Sequence, residues 1–151
     1  MAQTFTGVDE VVHAVGTQLG ETEWLEITQE QVNQFAEATG DHQWIHVDVA
    51  RAAKGPYGGT IAHGYLTLSL IARFGEELFS VKGVTAKLNY GVNKVRFPAP
   101  VPVGSRVRAS ASIAGAQETP AGVQVSLQWV IELEHSTKPA CVAETVVLLV
   151  P

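Results

Sequence analysis

The sequence predicts an α+β fold in which a long antiparallel β-sheet is folded around one apolar helix. Apolar residues recur at helical spacing in the first half of the chain, and residues 65–79 are apolar around nearly their whole circumference. From residue 84 onward the pattern changes to period two. The turns of this second half are too short for the crossover helices that parallel strands require. The sheet is therefore expected to be antiparallel.

The first elements are a short strand at residues 22–27 and a helix that begins after Thr28. The spacing of Thr28 and Gln31 lets the side chain of each accept a hydrogen bond from the free backbone N–H of the other. Gly40 is suited to the left-handed conformation that ends many helices. The helix is therefore expected to end just before Asp41.

The segment between this helix and the apolar one is expected to be mostly irregular. Residues 41–47 show no regular pattern, while Asp48 can cap a short helix at residues 49–53. The turn cluster at residues 55–59 ends that helix. The apolar helix at residues 65–79 then follows and is expected to lie inside the protein.

The second half contains four candidate strands. They cover residues 84–92, 106–115, 123–135 and 140–150. In the third, apolar residues from Val123 to Leu133 alternate with mostly polar ones, which predicts one buried face and one polar face. Short turns can join neighbouring strands as hairpins.

Composition predicts one globular domain over residues 1–151. The chain is 46% hydrophobic and 17% charged, and it contains no repeat and no linker-like segment. A chain of this length can bury a core without disulfide bonds. The single cysteine, Cys141, cannot form an internal disulfide and is expected to be a small buried apolar residue.

Charge and hydropathy exclude some classes of function. Ten Lys and Arg against fifteen Asp and Glu give a net charge of −5, which argues against a nucleic-acid binder with a broad basic field. The longest apolar stretch is far shorter than the roughly 20 residues that span a bilayer, so no integral membrane protein is expected. No secretory or lipid-anchor signal is visible, and a cytoplasmic location is the expectation.

Ionisable residues are concentrated between the two main helices, in residues 40–46 and 62–64. A carboxylate and an imidazole can divide the proton transfers of a reaction around one water molecule, and Asp41 and His46 are the candidate pair. Gly64 is the candidate donor to a developing oxyanion. It opens the buried helix with an unpaired N–H and has no side chain to block approach.

The order of these motifs resembles one enzyme family. Residues 35–52, with Asp41 and His46 five positions apart, resemble the signature of the MaoC-like (R)-specific enoyl-CoA hydratases. Ala62-His63-Gly64 before an apolar helix, and residues 95–104, resemble that family's later motifs.

The resemblance implies a hot-dog fold, a homodimer and no dissociable cofactor. The implied reaction is reversible addition of water to a trans-2-enoyl thioester, giving the (R)-3-hydroxyacyl thioester. The thioester is carried by coenzyme A or by acyl carrier protein. Asp41 and His46 would hold the water, the Gly64 N–H would bind the thioester oxygen, and Gln43 and Arg96 are further candidates for contact with substrate and with coenzyme A phosphate.

Two positions depart from the family pattern. Gln43 and Trp44 stand where the family usually has Asn and Pro. Gln keeps the amide group at greater reach, whereas Trp removes a fixed backbone angle and is expected to reshape the pocket mouth. Acyl-chain preference is the property most affected.

The polar and charged residues of the chain also allow a metal site and a phosphate site. Asp41, His42, His46 and His63 could in principle bind a metal, but their spacing matches no helical metal motif, so no metal is expected. His63 is instead expected to hold its loop by hydrogen bonding. Positive side chains in the sheet region could meet the phosphates of coenzyme A or form a solvated face. They are Lys87, Lys94, Arg96, Arg106 and Arg108.

Two alternative functions are open at this stage. An acyl-CoA thioesterase of the same fold would use a carboxylate near the central helix, but Glu76 and Glu77 lie near its far end. A non-catalytic subunit that binds acyl thioesters would have no use for Asp41 and His46 as an acid/base pair. Motifs for serine hydrolases and for nucleotide hydrolases are absent from the sequence.

Overall fold

The long strands of the second half form one antiparallel sheet. The computed structural model describes residues 2–151. The strands of the main sheet are β2 (Gln18–Glu21), β3 (Leu25–Glu26), β5 (Ala86–Arg96), β6 (Arg106–Thr119), β7 (Gly122–Leu133) and β8 (Cys141–Val150). Their order is β2–β6–β7–β8–β5, and β3 also pairs with β6. The predicted antiparallel sheet is confirmed.

The alternation in β7 sets which face of the sheet is buried. Its apolar residues point into the core, and they are Val123, Val125, Leu127, Trp129 and Ile131. The Trp129 indole N–H donates to Thr145 Oγ1 on the neighbouring strand across 3.1 Å, so the largest buried side chain also has its polar group satisfied. Cys141 is fully buried, as expected.

The helices of the first half are α1 (Val8–His13), α2 (Gln29–Thr39), α3 (Trp44–Val47), α4 (Val49–Ala53), α5 (Gly64–Ser69) and α6 (Ile71–Leu78). Helix α2 has the predicted ends. Thr28 Oγ1 accepts a hydrogen bond from the Gln31 N–H at 3.1 Å, and Gly40 adopts a left-handed φ of 80°. The Asp48 cap of α4 is likewise confirmed by a 3.0 Å bond from the Arg51 N–H.

The prediction of one continuous apolar helix at residues 65–79 is wrong in two respects. It is divided at Leu70 into α5 and α6, because the Leu70 N–H bonds to both the Leu66 and Thr67 carbonyls and Ser69 Oγ competes for the Leu66 carbonyl. Only one face is deeply buried, formed by Leu66, Leu70, Phe74 and Leu78. Tyr65, on another face, is 72% exposed.

That buried helical face packs in one core with the inner face of the sheet. A long antiparallel sheet around a central helix is the hot-dog arrangement that the sequence analysis expected. Within residues 2–151, no helix is long and apolar enough to cross a membrane.

The amino-terminal elements are not those expected from the sequence. Strand β1 (Gln3–Thr6) pairs in parallel with β4 (Phe79–Lys82), forming a separate two-stranded sheet. Phe79 therefore begins a strand instead of closing the helix. The strand expected at residues 22–27 is replaced by β2 and β3, because Thr22 bonds to Ala109 but the chain leaves the sheet again at residues 23–24.

Strand β5 forms an edge of the main sheet and is exposed along most of its length. Leu88, Tyr90 and Val92 are 49%, 63% and 47% exposed. The pairing register with β8 shifts between Asn89 and Gly91 and again between Val92 and Lys94. Apolar side chains are thus left uncovered beside an open row of backbone hydrogen-bonding groups.

Candidate active site

Asp41 lies in the turn that links α2 to α3. The Asp41 N–H donates to Thr39 Oγ1 at 3.3 Å, and Asp41 Oδ1 accepts from the Gln43 N–H at 3.3 Å. This local bonding lets residues 44–47 begin a short helix, so the expectation that residues 41–47 are irregular is wrong for α3. The Asp41 side chain is 48% exposed.

Helix α3 carries His46 into the interior. The His46 Nδ1 atom lies 2.7 Å from the Ile61 carbonyl oxygen. A carbonyl oxygen can only accept a hydrogen bond, so Nδ1 bears the proton. Gln29 Nε2 donates to the His46 carbonyl at 2.8 Å, and Thr60 Oγ1 donates to Gln29 Oε1 at 2.6 Å. His46 is therefore held through both its backbone and its ring, with Nε2 left for other partners.

The surroundings of His46 favour its neutral form. Burial is the main cause that lowers the pKa of His46 below its ordinary value, and the nearby His63 lowers it further. The Ile61 carbonyl and the Asp41 carboxylate act in the opposite direction, but burial outweighs them. At neutral pH the ring therefore presents an unprotonated Nε2.

His63 joins Asp41 to His46. Its Nε2 donates to the Asp41 backbone carbonyl at 3.0 Å, which is the loop-holding role expected from the sequence. Its ring stacks on that of His46, with centroids 3.9 Å apart and planes inclined by 23°. Ligand atoms of Asp41, His46 and His63 all lie within 4.8 Å of one another.

Gly64 follows His63 directly and is the first residue of α5. The Gly64 N–H, at the first helical position, has no intrahelical acceptor, and none faces it elsewhere in the described part of the chain. A Cβ atom at Gly64 would lie 3.2 Å from carbon atoms of the Phe97 ring. Any larger residue here would force the Phe97 ring to shift, a constraint that the sequence did not reveal.

The other two candidate residues lie at the surface. Gln43 precedes α3, and its side chain makes no capping hydrogen bond. Arg96 ends β5 and donates from Nη1 to the Val95 carbonyl at 2.7 Å. The next residue, Phe97, packs against Gly64.

Three of the five basic residues considered for phosphate binding are paired with carboxylates. Arg106 pairs with Glu134, Arg108 with Glu132 and Glu21, and Lys87 with Glu76. These belong to the solvated face that was the alternative interpretation. For Lys94 and Arg96, no carboxylate lies within 4.0 Å among residues 2–151.

The four residues considered for a metal site do not all come together. His42 turns toward Glu37, with 3.7 Å between Nε2 and Oε1. Ligand atoms of the remaining three lie within 4.8 Å of one another. His63 Nε2 is used as a donor to the Asp41 carbonyl, while its Nδ1 has no partner in the described part of the chain. Asp41 offers a half-exposed carboxylate, and His46 offers the ring nitrogen that does not bond to Ile61.

A cavity of about 440 Å³ lies between the helices and the sheet. Its walls include Leu68, Ile71, Ala72 and Gly75 from the helices and Leu127, Trp129 and Val147 from the sheet. Leu68, the first helical residue of this lining, is one turn beyond Gly64 on the same helix. The cavity was not predicted from the sequence. Small residues at positions 72 and 75 of an otherwise apolar helix were the available signal.

Comparisons with known proteins identify relatives of this chain. The family model "MaoC like domain" matches residues 10–130. The 3-hydroxyacyl-thioester dehydratase Z of Mycobacterium tuberculosis is 56% identical over 146 residues, with 96% of this chain and 97% of that protein covered. Nodulation protein N of Rhizobium leguminosarum is 40% identical over 143 residues, with 93% and 89% covered.

Among solved structures, the (R)-hydratase from A. caviae involved in PHA biosynthesis is similar, with a TM-score of 0.73 and 27% identity. The match covers 89% of this chain and 96% of that structure. The match of the family model over most of the chain, together with the curated relatives, shows that this chain belongs to the MaoC-like dehydratase family.

Proposed function

We propose that the protein catalyses the reversible hydration of trans-2-enoyl-CoA to (R)-3-hydroxyacyl-CoA in fatty-acid metabolism. The observation that carries the proposal is the convergence of the Asp41 carboxylate and the His46 imidazole, with ligand atoms within 4.8 Å, beside the first residue of α5. The (R) configuration rests on the likeness to the A. caviae (R)-hydratase.

In the hydration direction, Asp41 and His46 hold one water molecule. One O–H bond of the water breaks as its oxygen bonds to C3 of the enoyl group, and a proton is delivered to C2. The released proton passes to the pair, with Asp41 as the principal base and His46 as its partner, and the pair supplies the proton that C2 gains. Because the pair receives one proton and supplies one, no net proton is gained or lost. Dehydration reverses these steps.

Negative charge develops on the thioester oxygen as the C3–O bond forms. The Gly64 N–H is a preformed donor for that oxygen, and its position next to His63 brings it close to the pair. Phe97, packed against Gly64, would form the adjacent wall for the thioester.

The acyl chain would enter the cavity along α5 and α6, whose wall is mostly apolar and has small residues at Ala72 and Gly75. The other end of the substrate would leave past Gln43 and Arg96, where the guanidinium group can meet a phosphate of coenzyme A. An acyl carrier protein thioester would place the same acyl group in the same cavity.

The proposed chemistry uses no metal and no dissociable cofactor. A carboxylate, an imidazole and a backbone donor supply the base, the acid and the oxyanion stabilisation that the reaction requires.

The working unit is proposed to be a homodimer of single-domain chains, each domain spanning residues 1–151. The exposed edge of β5, with Leu88, Tyr90 and Val92, is the surface that a second copy would cover. Pairing of two such edges would satisfy open backbone groups and bury apolar side chains at once.

Two other functions fit the geometry less well. A thioesterase carboxylate on α6 would be Glu76 or Glu77, and Glu76 lies twelve residues beyond Gly64, roughly 18 Å along the helices. Both are also engaged, with Lys87 and Arg73. A subunit that only binds acyl thioesters would not need an unprotonated His46 beside Asp41.

The test is an assay of the purified protein with crotonyl-CoA and longer trans-2-enoyl-CoAs, in buffer containing EDTA. We expect loss of the enoyl-thioester absorbance without release of thiol. A thiol reagent reports coenzyme A cleanly, because Cys141 is buried and burial raises its pKa to about 11. Thiol release would favour a thioesterase, and binding without turnover would favour a non-catalytic subunit.

A further inference from the structure

His63 is a buried titratable residue to which the proposed reaction assigns no step. Its side chain is 2% exposed and lies between the ring of His46, at 3.9 Å, and the ring of Phe35, at 4.9 Å. The next residue in the chain is Gly64, the proposed oxyanion donor. His63 thus contacts or adjoins every proposed participant in the reaction.

The hydrogen bonds of the two histidines require opposite tautomers. The Asp41 carbonyl can only accept, so His63 bears its proton on Nε2. The Ile61 carbonyl in the same way places the His46 proton on Nδ1. The two stacked rings therefore carry their protons on different nitrogen atoms.

Only one ring nitrogen of His63 has a hydrogen-bond partner. Its Nδ1 is buried and has none in the described part of the chain, so the ring is held through Nε2 alone. The titratable groups in contact with the ring are Asp41 and His46, while α2 presents the uncharged Phe35.

Asp41 depends on this ring for its position. Its two other hydrogen bonds are long, 3.3 Å each, and join it to Thr39 and Gln43 in its own exposed turn. Within residues 2–151, the 3.0 Å bond from His63 is its only hydrogen bond to a buried residue. The carboxylate Oδ2 is 4.0 Å from His63 Nε2, beyond hydrogen-bond distance, so the ring acts on the Asp41 backbone.

We propose that His63 is a positioning residue, which donates from Nε2 to the Asp41 carbonyl and thereby fixes the carboxylate against the stacked ring of His46. This inference deepens the proposed function and rests on it. His63 exchanges no proton with the substrate.

Two variants separate the hydrogen bond from the stacked ring. His63→Phe keeps an aromatic ring against His46 but removes the donor. We expect kcat to fall by about tenfold or more with KM nearly unchanged, because the Asp41 carboxylate is no longer held in place for proton transfer. His63→Gln places an amide donor at the reach of Nε2, and we expect it to restore most of kcat. His42→Gln, at an exposed histidine beside Asp41, is the matched control and should have wild-type kinetics.

An NMR measurement tests the same proposal without any activity. Long-range 1H–15N spectra of the imidazoles at neutral pH should show His63 protonated on Nε2 and His46 protonated on Nδ1 alone. The Nδ1–H tautomer of His63 would overturn the proposal, as would wild-type kcat in a folded His63→Phe variant. If the wild type hydrates no enoyl-CoA, the proposed function fails, and the tautomers still decide the role of His63.

Discussion

His46 donates from Nδ1 to the carbonyl oxygen of Ile61 across 2.7 Å, while burial of the ring disfavours its charged form. The balance lowers the pKa of His46 below the ordinary 6.5. Catalysis requires the free Nε2 lone pair, so protonation of the ring should abolish activity. Activity should therefore be complete above pH 6.5 and be lost as the pH falls through the lowered pKa.

The measurement is the pH dependence of kcat/KM, which reports the ionisations of the free enzyme. We expect an acid limb with its midpoint below 6.5. His135→Gln, at a histidine that is 89% exposed, should leave this limb in place. A limb centred above 6.5 would mean that the Asp41 carboxylate and the Ile61 carbonyl outweigh burial.

Gly64→Ala tests the packing at the first turn of α5. The new methyl group would meet the Phe97 ring at 3.2 Å, and Phe97 is 41% exposed and able to move, so the fold should survive. Displacement of the ring and of the Gly64 N–H should lower kcat/KM by about tenfold, less than complete loss of an oxyanion donor.

Gly59→Ala is the control for that variant, since a Cβ there would meet nothing within 4 Å. Replacing Phe97 with Leu in the Gly64→Ala background should recover part of the activity. Equal activity of Gly64→Ala and Gly59→Ala would contradict the placement of the thioester beside Gly64.

Gly75→Leu tests whether the cavity holds the acyl chain. A Cβ at Gly75 would lie at ordinary contact distance from Phe79 and Trp129, 3.9 and 4.0 Å, so a larger side chain can extend into the cavity. Activity on crotonyl-CoA should change little, whereas kcat/KM for a dodecenoyl thioester should fall by about tenfold or more.

Arg73→Leu introduces the same side chain on the same helix at a position that does not line the cavity. It should leave the chain-length profile unchanged. If Gly75→Leu also leaves the profile unchanged, the acyl chain lies elsewhere.

The exposed edge of β5 predicts the assembly state. The wild type should sediment at twice the 16.1 kDa mass of one chain, and Leu88→Lys with Val92→Lys should convert it to monomers, since a lysine pair repels its symmetry copy across the edge. Val130→Lys, at an exposed residue of the interior strand β7, should remain dimeric. A monomeric wild type would refute the dimer.

Strong local patterns made much of the fold predictable. The Thr28 and Gly40 caps, the Asp48 cap and the alternation of β7 each depend on neighbouring residues, and all are present in the structure. Strands β1 and β4 were missed because each has four residues and exists only through its pairing with the other.

Part of the arrangement at the candidate site was expected from the sequence. The sequence motifs indicated Asp41, His46 and Gly64 as candidate site residues, and a hydrogen bond from His63 within its loop was expected. Three features depend on tertiary packing and could not be read from spacing: the bond from His46 to Ile61, the stacking of the two imidazoles and the Phe97 ring over Gly64.

The most direct test of the acid/base pair is kcat for enoyl-CoA hydration by Asp41→Asn and His46→Gln, with folding checked by circular dichroism. Each variant should be slower by about a hundredfold or more, the usual contribution of one positioned acid or base. Glu37→Gln and His42→Gln, which alter an exposed ion pair next to Asp41, should have wild-type rates. A folded Asp41→Asn or His46→Gln variant that hydrates crotonyl-CoA at the wild-type rate would contradict the proposed mechanism.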